Sequence, residues 1–164
     1  MSKLKNKILN FKNATNRLKE AAEEFKQENA SDVIRDGLIQ RFEFTYELAW
    51  KTIKEYLEDI GIMDRNSPKA VIKEAYVQKI IINENNWLLM INDRNMTSHV
   101  YKEEMAEEIA SRIVDCYIME FDLLLEKLNQ EGRLVCNKLL KIIYENPRTV
   151  TCILCGKACH GCSF

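Results

Sequence analysis

A polar segment at residues 92–101, NDRNMTSHVY, interrupts two apolar stretches and contains His99, one of two histidines in the chain. The guanidinium of Arg94 can form two parallel hydrogen bonds with a phosphate, and an imidazole such as that of His99 titrates near neutral pH. Asn95 can orient a neighbouring group. These residue types suit phosphodiester cleavage without a metal, in which histidine moves protons and arginine stabilises the charged phosphorus centre.

A simpler interpretation of the same segment is that Asp93 and Arg94 are solvated and that His99 merely ends a helix, where the dipole favours an imidazolium. On one continuous helix Arg94 and His99 would lie about 140° apart, whereas Asn95 and His99 would share a face. We therefore expect either a break near Ser98 or a second copy of the chain to bring the groups together. A dimer would supply two histidines, one as base and one as acid.

The composition predicts an all-α protein with one main domain. The chain has 164 residues, of which 46% are hydrophobic and 30% are charged, with 5 glycines and 2 prolines. This composition disfavours β-sandwiches, collagen-like repeats and long disordered linkers. A net charge of −1 disfavours nucleic-acid binding through bulk positive charge, so any such contact must be local.

Apolar periodicity predicts an antiparallel up-and-down bundle of four to five helices within a domain at residues 1–132. The predicted helices are one containing Leu4, Phe11, Leu18 and Phe25, one from Ser31 to Ile60 ended by Gly61, one from Ser67 and Pro68 to Lys79, one from about Glu84 to Asn95, and one from Glu103 to Leu128. The second carries an apolar stripe wide enough to imply burial on two sides, against another helix layer or a second subunit.

The remaining conspicuous side chains have structural interpretations. We expect the helically spaced aromatic residues to lie in the core, and the acidic and basic ladder on the second helix to be a solvated face. The expected core residues are Phe42, Phe44, Trp50 and Trp87; the ladder consists of Glu43, Glu47 and Lys51.

Residues 133–164 are expected to form an accessory C-terminal helix and a cysteine-rich tail. Four thiolates there, Cys152, Cys155, Cys159 and Cys162, could bind zinc tetrahedrally, but the two CxxC pairs are closer together than in a usual zinc ribbon. We expect no metal and no cofactor. The chain lacks an apolar run of the roughly 20 residues that a bilayer span needs and a signal-peptide pattern, so we expect a cytoplasmic protein without membrane contact.

Arg94, four intervening residues and His99 resemble the Arg-x4-6-His motif of HEPN domains, and Tyr101 completes the Arg-x4-His-x-Tyr form of HepT-type toxins. The surrounding blocks resemble the nucleotidyltransferase substrate-binding branch of that family. These blocks are RFEFTYELAWKTIKEYLEDIGI at 41–62, SPKAVIKEA at 67–75 and WLLMINDRNMTSHVYKEEMAEEI at 87–109. The resemblance covers roughly residues 1–130.

The resemblance implies a helical bundle that forms a homodimer or a higher even oligomer and that works with a minimal nucleotidyltransferase. Such proteins act as ribonuclease toxins, with Arg94, His99 and Asn95 in the catalytic positions and RNA as substrate. Tyr101 would accept AMP from the transferase, which silences the nuclease, and Asp93 and Ser98 would support the site. The alternative implied by the same family is a non-catalytic subunit that presents a substrate to the transferase.

Overall fold

The computed structural model describes residues 3–27, 31–97 and 103–130, which contain helices and no strand. The helices are α1 (Lys3–Phe25), α2 (Asp32–Asp59), α3 (Pro68–Val77), α4 (Glu84–Thr97) and α5 (Glu103–Arg112). A π-helical turn, Ile113–Tyr117, follows α5 directly, and helical backbone continues from residue 118 to residue 130. The predicted all-α bundle is confirmed. The predicted accessory segment at 133–164 lies outside the described residues.

The helix ends follow from local chemistry that the sequence predicts. Ser67 caps α3, because its hydroxyl accepts a hydrogen bond from the Ala70 amide at 3.3 Å, and Pro68 occupies the first turn. Ser31 precedes α2 as predicted, although its side chain makes no capping bond. Gly61 adopts a positive φ of 90°, which only glycine takes up readily, and so ends α2.

The long helices run antiparallel in sequence order. The Arg41 guanidinium on α2 donates to the Arg17 carbonyl on α1 at 2.6 Å, and Lys3 of α1 pairs with Glu55 of α2 at 2.9 Å. Early residues of α1 therefore lie beside late residues of α2. Contacts of Glu43 with Thr97 and of Glu47 with Arg94 show the same relation between α2 and α4.

Helix α2 lies at the centre of the bundle and contacts α1, α3, α4 and α5. The predicted apolar stripe is buried within this chain at Phe42, Tyr46, Ala49, Ile53 and Leu57. The wide apolar stripe is thus explained by a second layer of helices from the same chain. It does not require a second subunit, so the dimer stays a prediction that rests on the number of histidines.

Aromatic rings from several helices fill the core. The ring of Phe42 lies 5.2 Å from that of Tyr117, and the rings of Trp87 and Phe11 lie 5.7 and 5.8 Å from that of Phe121. The predicted core positions of Phe42 and Trp87 are confirmed. Trp50 is only half-buried.

The prediction that Phe44 lies in the core is wrong, because its side chain is 59% exposed. Helical residues two positions apart point about 200° away from each other. Phe44 therefore faces away from the core when Phe42 faces into it.

An ionic cluster fastens the start of α1 to the second half of α2. The carboxylate of Glu55 is buried and pairs with Lys7 at 2.6 Å as well as with Lys3. Hydrogen bonding from Lys7, and then from Lys3, lowers the pKa of Glu55 despite its burial. Across the described residues, every helix is too short or too polar to span a bilayer.

Candidate functional site

Arg94 lies in the last turn of α4 and faces α2, where a carboxylate holds it. Its Nε lies 3.6 Å from Oε1 of Glu47. The other oxygen of that carboxylate, Oε2, accepts a hydrogen bond from the indole of Trp50 at 3.1 Å and pairs with Nζ of Lys51 at 3.0 Å. Because three groups from two helices converge on Glu47, its carboxylate is fixed in place and can position the guanidinium.

The next turn of α4 is attached to α2 by a second carboxylate. The Thr97 hydroxyl is within hydrogen-bonding distance of Glu43 and of the Arg94 carbonyl, the latter at 2.7 Å. Glu43 and Glu47 are four residues apart and thus share one face of α2. This pair secures the end of α4 that leads into the segment carrying Ser98 and His99.

Sequence reasoning missed the role of these two carboxylates. The predicted ladder is present, since Glu47 pairs with Lys51, but the prediction of a merely solvated face is wrong because Glu43 and Glu47 also contact α4. The signal in the sequence was two acidic residues four apart on α2. That spacing says that they share a face and does not say which helix the face meets.

Asp93 points inward and makes a different kind of contact. Its side chain is buried and accepts two hydrogen bonds from Arg112, at 2.8 and 3.0 Å, and a third from the Tyr117 hydroxyl. The interpretation of Asp93 as a solvated residue is therefore wrong. Burial, followed by the bond to Asp93, raises the pKa of Tyr117, so the phenol keeps its proton. Sequence reasoning did not single out Arg112 or Tyr117.

The consecutive residues Asp93, Arg94 and Asn95 face three directions, as the helical step of about 100° requires. Asp93 faces the core, Arg94 faces α2, and Asn95 faces solvent. Within the described part of the chain, the Asn95 side chain forms no hydrogen bond that would orient Arg94. Ser98, His99 and Tyr101 lie outside the described residues, so the expected break near Ser98 and the meeting of Arg94 with His99 stay predictions.

The Arg94 side chain is 36% exposed and has spare hydrogen-bonding capacity. Its Nε is buried and, within the described residues, lacks a hydrogen-bond partner; the same is true of the Tyr46 hydroxyl. Burial raises the pKa of Tyr46, the charge of Glu47 raises it further, and the charge of Arg94 opposes this rise. The phenol is therefore neutral at physiological pH. The exposed part of the Arg94 guanidinium can donate hydrogen bonds to an anionic oxygen.

Metal ligands do not cluster in the part of the chain that the structure describes. Among residues 3–27, 31–97 and 103–130, no three His, Cys, Asp or Glu side chains lie close enough to hold a metal ion. The four candidate cysteines of the tail, Cys152, Cys155, Cys159 and Cys162, are outside these ranges. The interpretation of that segment as a tail without zinc stays a prediction.

Comparisons with known proteins extend these observations. The chain is 33% identical over 106 residues to the Haemophilus influenzae protein named Probable ribonuclease HepT, covering 62% of this chain and 72% of that one. The solved structure of H. influenzae HI0074, described as the fold of a substrate binding domain of a nucleotidyltransferase, has a TM-score of 0.68 at 28% identity, covering 74% of this chain and 98% of that one.

A chain of the crystal structure of the toxin-antitoxin MntA-HepT has a TM-score of 0.65 at 16% identity and covers 77% of this chain and 97% of that one, which is a likeness of fold alone. Residues 6–130 match the family described as nucleotidyltransferase substrate binding protein like. That match includes the whole of α4 and its contacts with α2 and α5. The chain therefore belongs to the nucleotidyltransferase substrate-binding protein family and, within it, to the HepT-like HEPN proteins that its motif predicts.

Proposed function

We propose that this protein is the HEPN toxin of a two-component system and acts as a metal-independent endoribonuclease. The proposal rests on Arg94. Its guanidinium is partly exposed and is held by Glu47, but it is not saturated with hydrogen bonds within the described residues. Such a group can bind a phosphate, which a fully paired arginine cannot do without losing its partner. The relative named Probable ribonuclease HepT supports the same activity.

The reaction needs three contributions. A base removes the proton of the ribose 2′-hydroxyl, the 2′-oxygen attacks the adjacent phosphorus, and the bond to the leaving 5′-oxygen breaks as an acid protonates it. Arg94 would stabilise the additional negative charge on the phosphorane, and His99 would carry the proton. The products are a 2′,3′-cyclic phosphate and a free 5′-hydroxyl.

A homodimer would supply both the acid and the base, because each chain has one histidine in the motif. Mixing wild-type and His99→Ala protein tests this arrangement. After co-refolding with excess His99→Ala protein, activity should fall more steeply than the fraction of wild-type chains, because a mixed dimer has only one of the two histidines. Sedimentation at micromolar concentration should give an even oligomer, and a strict monomer would contradict the shared site.

Purified protein free of AMP should cleave cellular RNA in the presence of EDTA and leave 2′,3′-cyclic phosphate ends. His99→Ala should abolish cleavage with little change in stability. Arg94→Lys should reduce cleavage by about a hundredfold or more, since lysine keeps the charge and loses the planar fork. RNA left intact by the wild-type protein, with His99→Ala changing only the association with a transferase, would refute the nuclease.

The family resemblance implies regulation by a partner nucleotidyltransferase through Tyr101, two residues after His99. Transfer of AMP to the Tyr101 hydroxyl, with release of pyrophosphate from ATP, would place a bulky anion beside the cations that bind RNA. Tyr101→Phe should retain cleavage and escape silencing by the transferase. Mass spectrometry should locate AMP on Tyr101 of the wild-type protein, and modification elsewhere would contradict this mechanism.

The second candidate is a non-catalytic subunit that binds a substrate for a nucleotidyltransferase. The description of HI0074 favours it. If the protein has that function, it would bind the transferase and raise the activity of the transferase while leaving RNA intact. The cleavage assay separates the two candidates.

A further inference from the structure

We infer that the groove between α1 and α2 binds an unpaired nucleotide of an RNA strand, adjacent to the phosphate that Arg94 would bind. This inference rests on the ribonuclease function proposed above and assigns the site that holds the flanking strand. The groove has a volume of about 780 Å³ and extends along α1 from Asn10 to Glu20. Ten helical residues span about 15 Å, which exceeds the width of a single nucleobase.

Phe44 supplies a stacking surface in this groove. It lines the groove and is 59% exposed, whereas the neighbouring aromatic residues Phe42 and Tyr46 are buried. Exposed single apolar side chains are common on proteins, but this ring lies within a concavity lined by polar groups. Aromatic rings in such grooves stack with unpaired bases, and every base offers a suitable face.

The polar lining suits the remaining parts of a nucleotide. Asn10, Asn13 and Gln40 each carry one amide donor group and one amide acceptor, the combination that base edges require. Arg17 is exposed at the same groove, and no acidic side chain among the described residues pairs with its guanidinium. Its charge is therefore available for a backbone phosphate.

Arg41, the second arginine of the groove, has a structural role. Arg41 donates to the Arg17 carbonyl at 2.6 Å and lies 3.8 Å from Glu20, so it joins the two helices. The groove thus contains a local cation in a chain whose net charge is −1. This arrangement fits the expectation that nucleic acid is bound locally and not through bulk charge.

Glu47 connects the groove with the candidate site. It lines the groove beside Phe44, and its Oε1 lies 3.6 Å from Nε of Arg94. A strand whose phosphate lies at Arg94 can therefore place the next nucleotide across the Glu47 turn of α2, within reach of Phe44.

The test uses a short single-stranded RNA carrying one 2-aminopurine, titrated with His99→Ala protein, which would bind without cleaving. The fluorescence of 2-aminopurine should be quenched on binding. Adding Phe44→Leu should weaken binding about tenfold and remove the quenching, because leucine keeps the apolar contact and loses the ring. Phe44→Trp should bind at least as well as the parent. Arg17→Gln should weaken binding and reduce its dependence on salt.

Val33→Ala is the matched control, since Val33 lies on α2 outside the groove and is 79% exposed. It should leave RNA affinity unchanged. In otherwise wild-type protein, Phe44→Leu should raise KM about tenfold and leave kcat unchanged, and circular dichroism should confirm that the fold is retained.

The outcomes separate this inference from the proposed function. Wild-type protein that neither cleaves nor binds RNA overturns the ribonuclease and the groove together. Cleavage with equal RNA affinity in the parent and Phe44→Leu proteins overturns the groove alone. So does free AMP bound as tightly as the RNA, since the groove would then serve a mononucleotide. Loss of binding to the transferase or to a second copy of this chain, with RNA affinity intact, assigns the groove to a protein and also overturns it.

Discussion

Asp93 and Arg94 are adjacent in sequence, yet their surroundings differ sharply. Asp93 is buried and accepts hydrogen bonds from Arg112 and Tyr117. Arg94 is about a third exposed, and its Nε lies 3.6 Å from the Glu47 carboxylate. Asp93 accepts three hydrogen bonds, whereas Arg94 is positioned by Glu47 and still has guanidinium N–H groups without a partner among the described residues. The comparison indicates that Asp93 supports α4, whereas Arg94 is the group available to a ligand.

The carboxylates of Asp93 and Glu47 also differ in how easily a ligand could replace one of their partners. Both oxygens of Asp93 accept hydrogen bonds from Arg112, so a ligand would have to displace a charge pair whose carboxylate is buried. Glu47 is already satisfied by Trp50 and Lys51 through Oε2, so movement of Arg94 toward a phosphate costs it little. Arg94 can therefore move from Glu47 to a phosphate while the contacts of Asp93 that hold α4 stay intact.

Asp93→Ala should have the largest effect on stability. Among the described residues, it leaves the buried Tyr117 hydroxyl without its partner and Arg112 with only the longer contact to Glu108 at 3.5 Å, and we expect a loss of about 3 kcal/mol in the free energy of unfolding. Urea denaturation followed by circular dichroism measures it. Tyr117→Phe is the control and should cost about 1 kcal/mol, because it removes one of the three hydrogen bonds. A loss below that of the control would mean that Asp93 does not support the helix.

Glu55→Gln should have an intermediate effect, about 1 kcal/mol at neutral pH, because it removes the charge that pairs with Lys7 and Lys3. Since the pKa of Glu55 in the folded protein lies below its ordinary value of 4.5, the charged form stabilises the fold. That contribution is complete above 4.5 and is lost as the pH falls through the lowered pKa. Denaturation from pH 7 to pH 3 should show the variant and wild-type curves converging in acid. Curves that stay parallel would contradict this assignment.

Arg94→Ala should have the smallest effect on stability, about 0.5 kcal/mol or less, because the ion pair is partly exposed and Glu47 keeps two other partners. The same variant should lose RNA cleavage. Thermal unfolding and the cleavage assay on one preparation measure both quantities. A stability loss as large as that of Asp93→Ala would remove the distinction between support and site.

The helices, their caps and most of the core could be predicted from sequence, because periodicity and capping are local properties. The Ser67 cap and the Gly61 terminus followed from residue type, and the buried Phe42 and Trp87 followed from spacing. Phe44 did not, since an aromatic residue favours burial on average and only the rotation of α2 decides which neighbour faces inward. The stripe on α2 indicated burial on two sides, but it did not indicate whether the second side is covered by the same chain or by a second subunit.

Among the described residues of the motif, Arg94 is the predicted site residue that has a partly exposed guanidinium, and its role in the site stays a prediction. Its chemistry follows from residue type, but its partner Glu47 is 47 positions away in sequence, and no local rule links the two. Asp93 has the same limitation, because its burial depends on Arg112 and Tyr117 from the next helix. Long-range pairs are set by how the helices pack, which periodicity does not specify.

The π-helical turn sets the direction in which the residues after it face. One series of buried residues recurs here at steps of four, namely Ile109, Ile113, Tyr117, Phe121 and Leu125. In a regular α-helix each such step overshoots a full turn by about 40°, which would carry Leu125 nearly to the opposite side from Ile109. The wider turn at Ile113–Tyr117 takes up part of this overshoot. Without the wider turn, Phe121 and Leu125 would be rotated further away from the face that Ile109 and Ile113 present to the core.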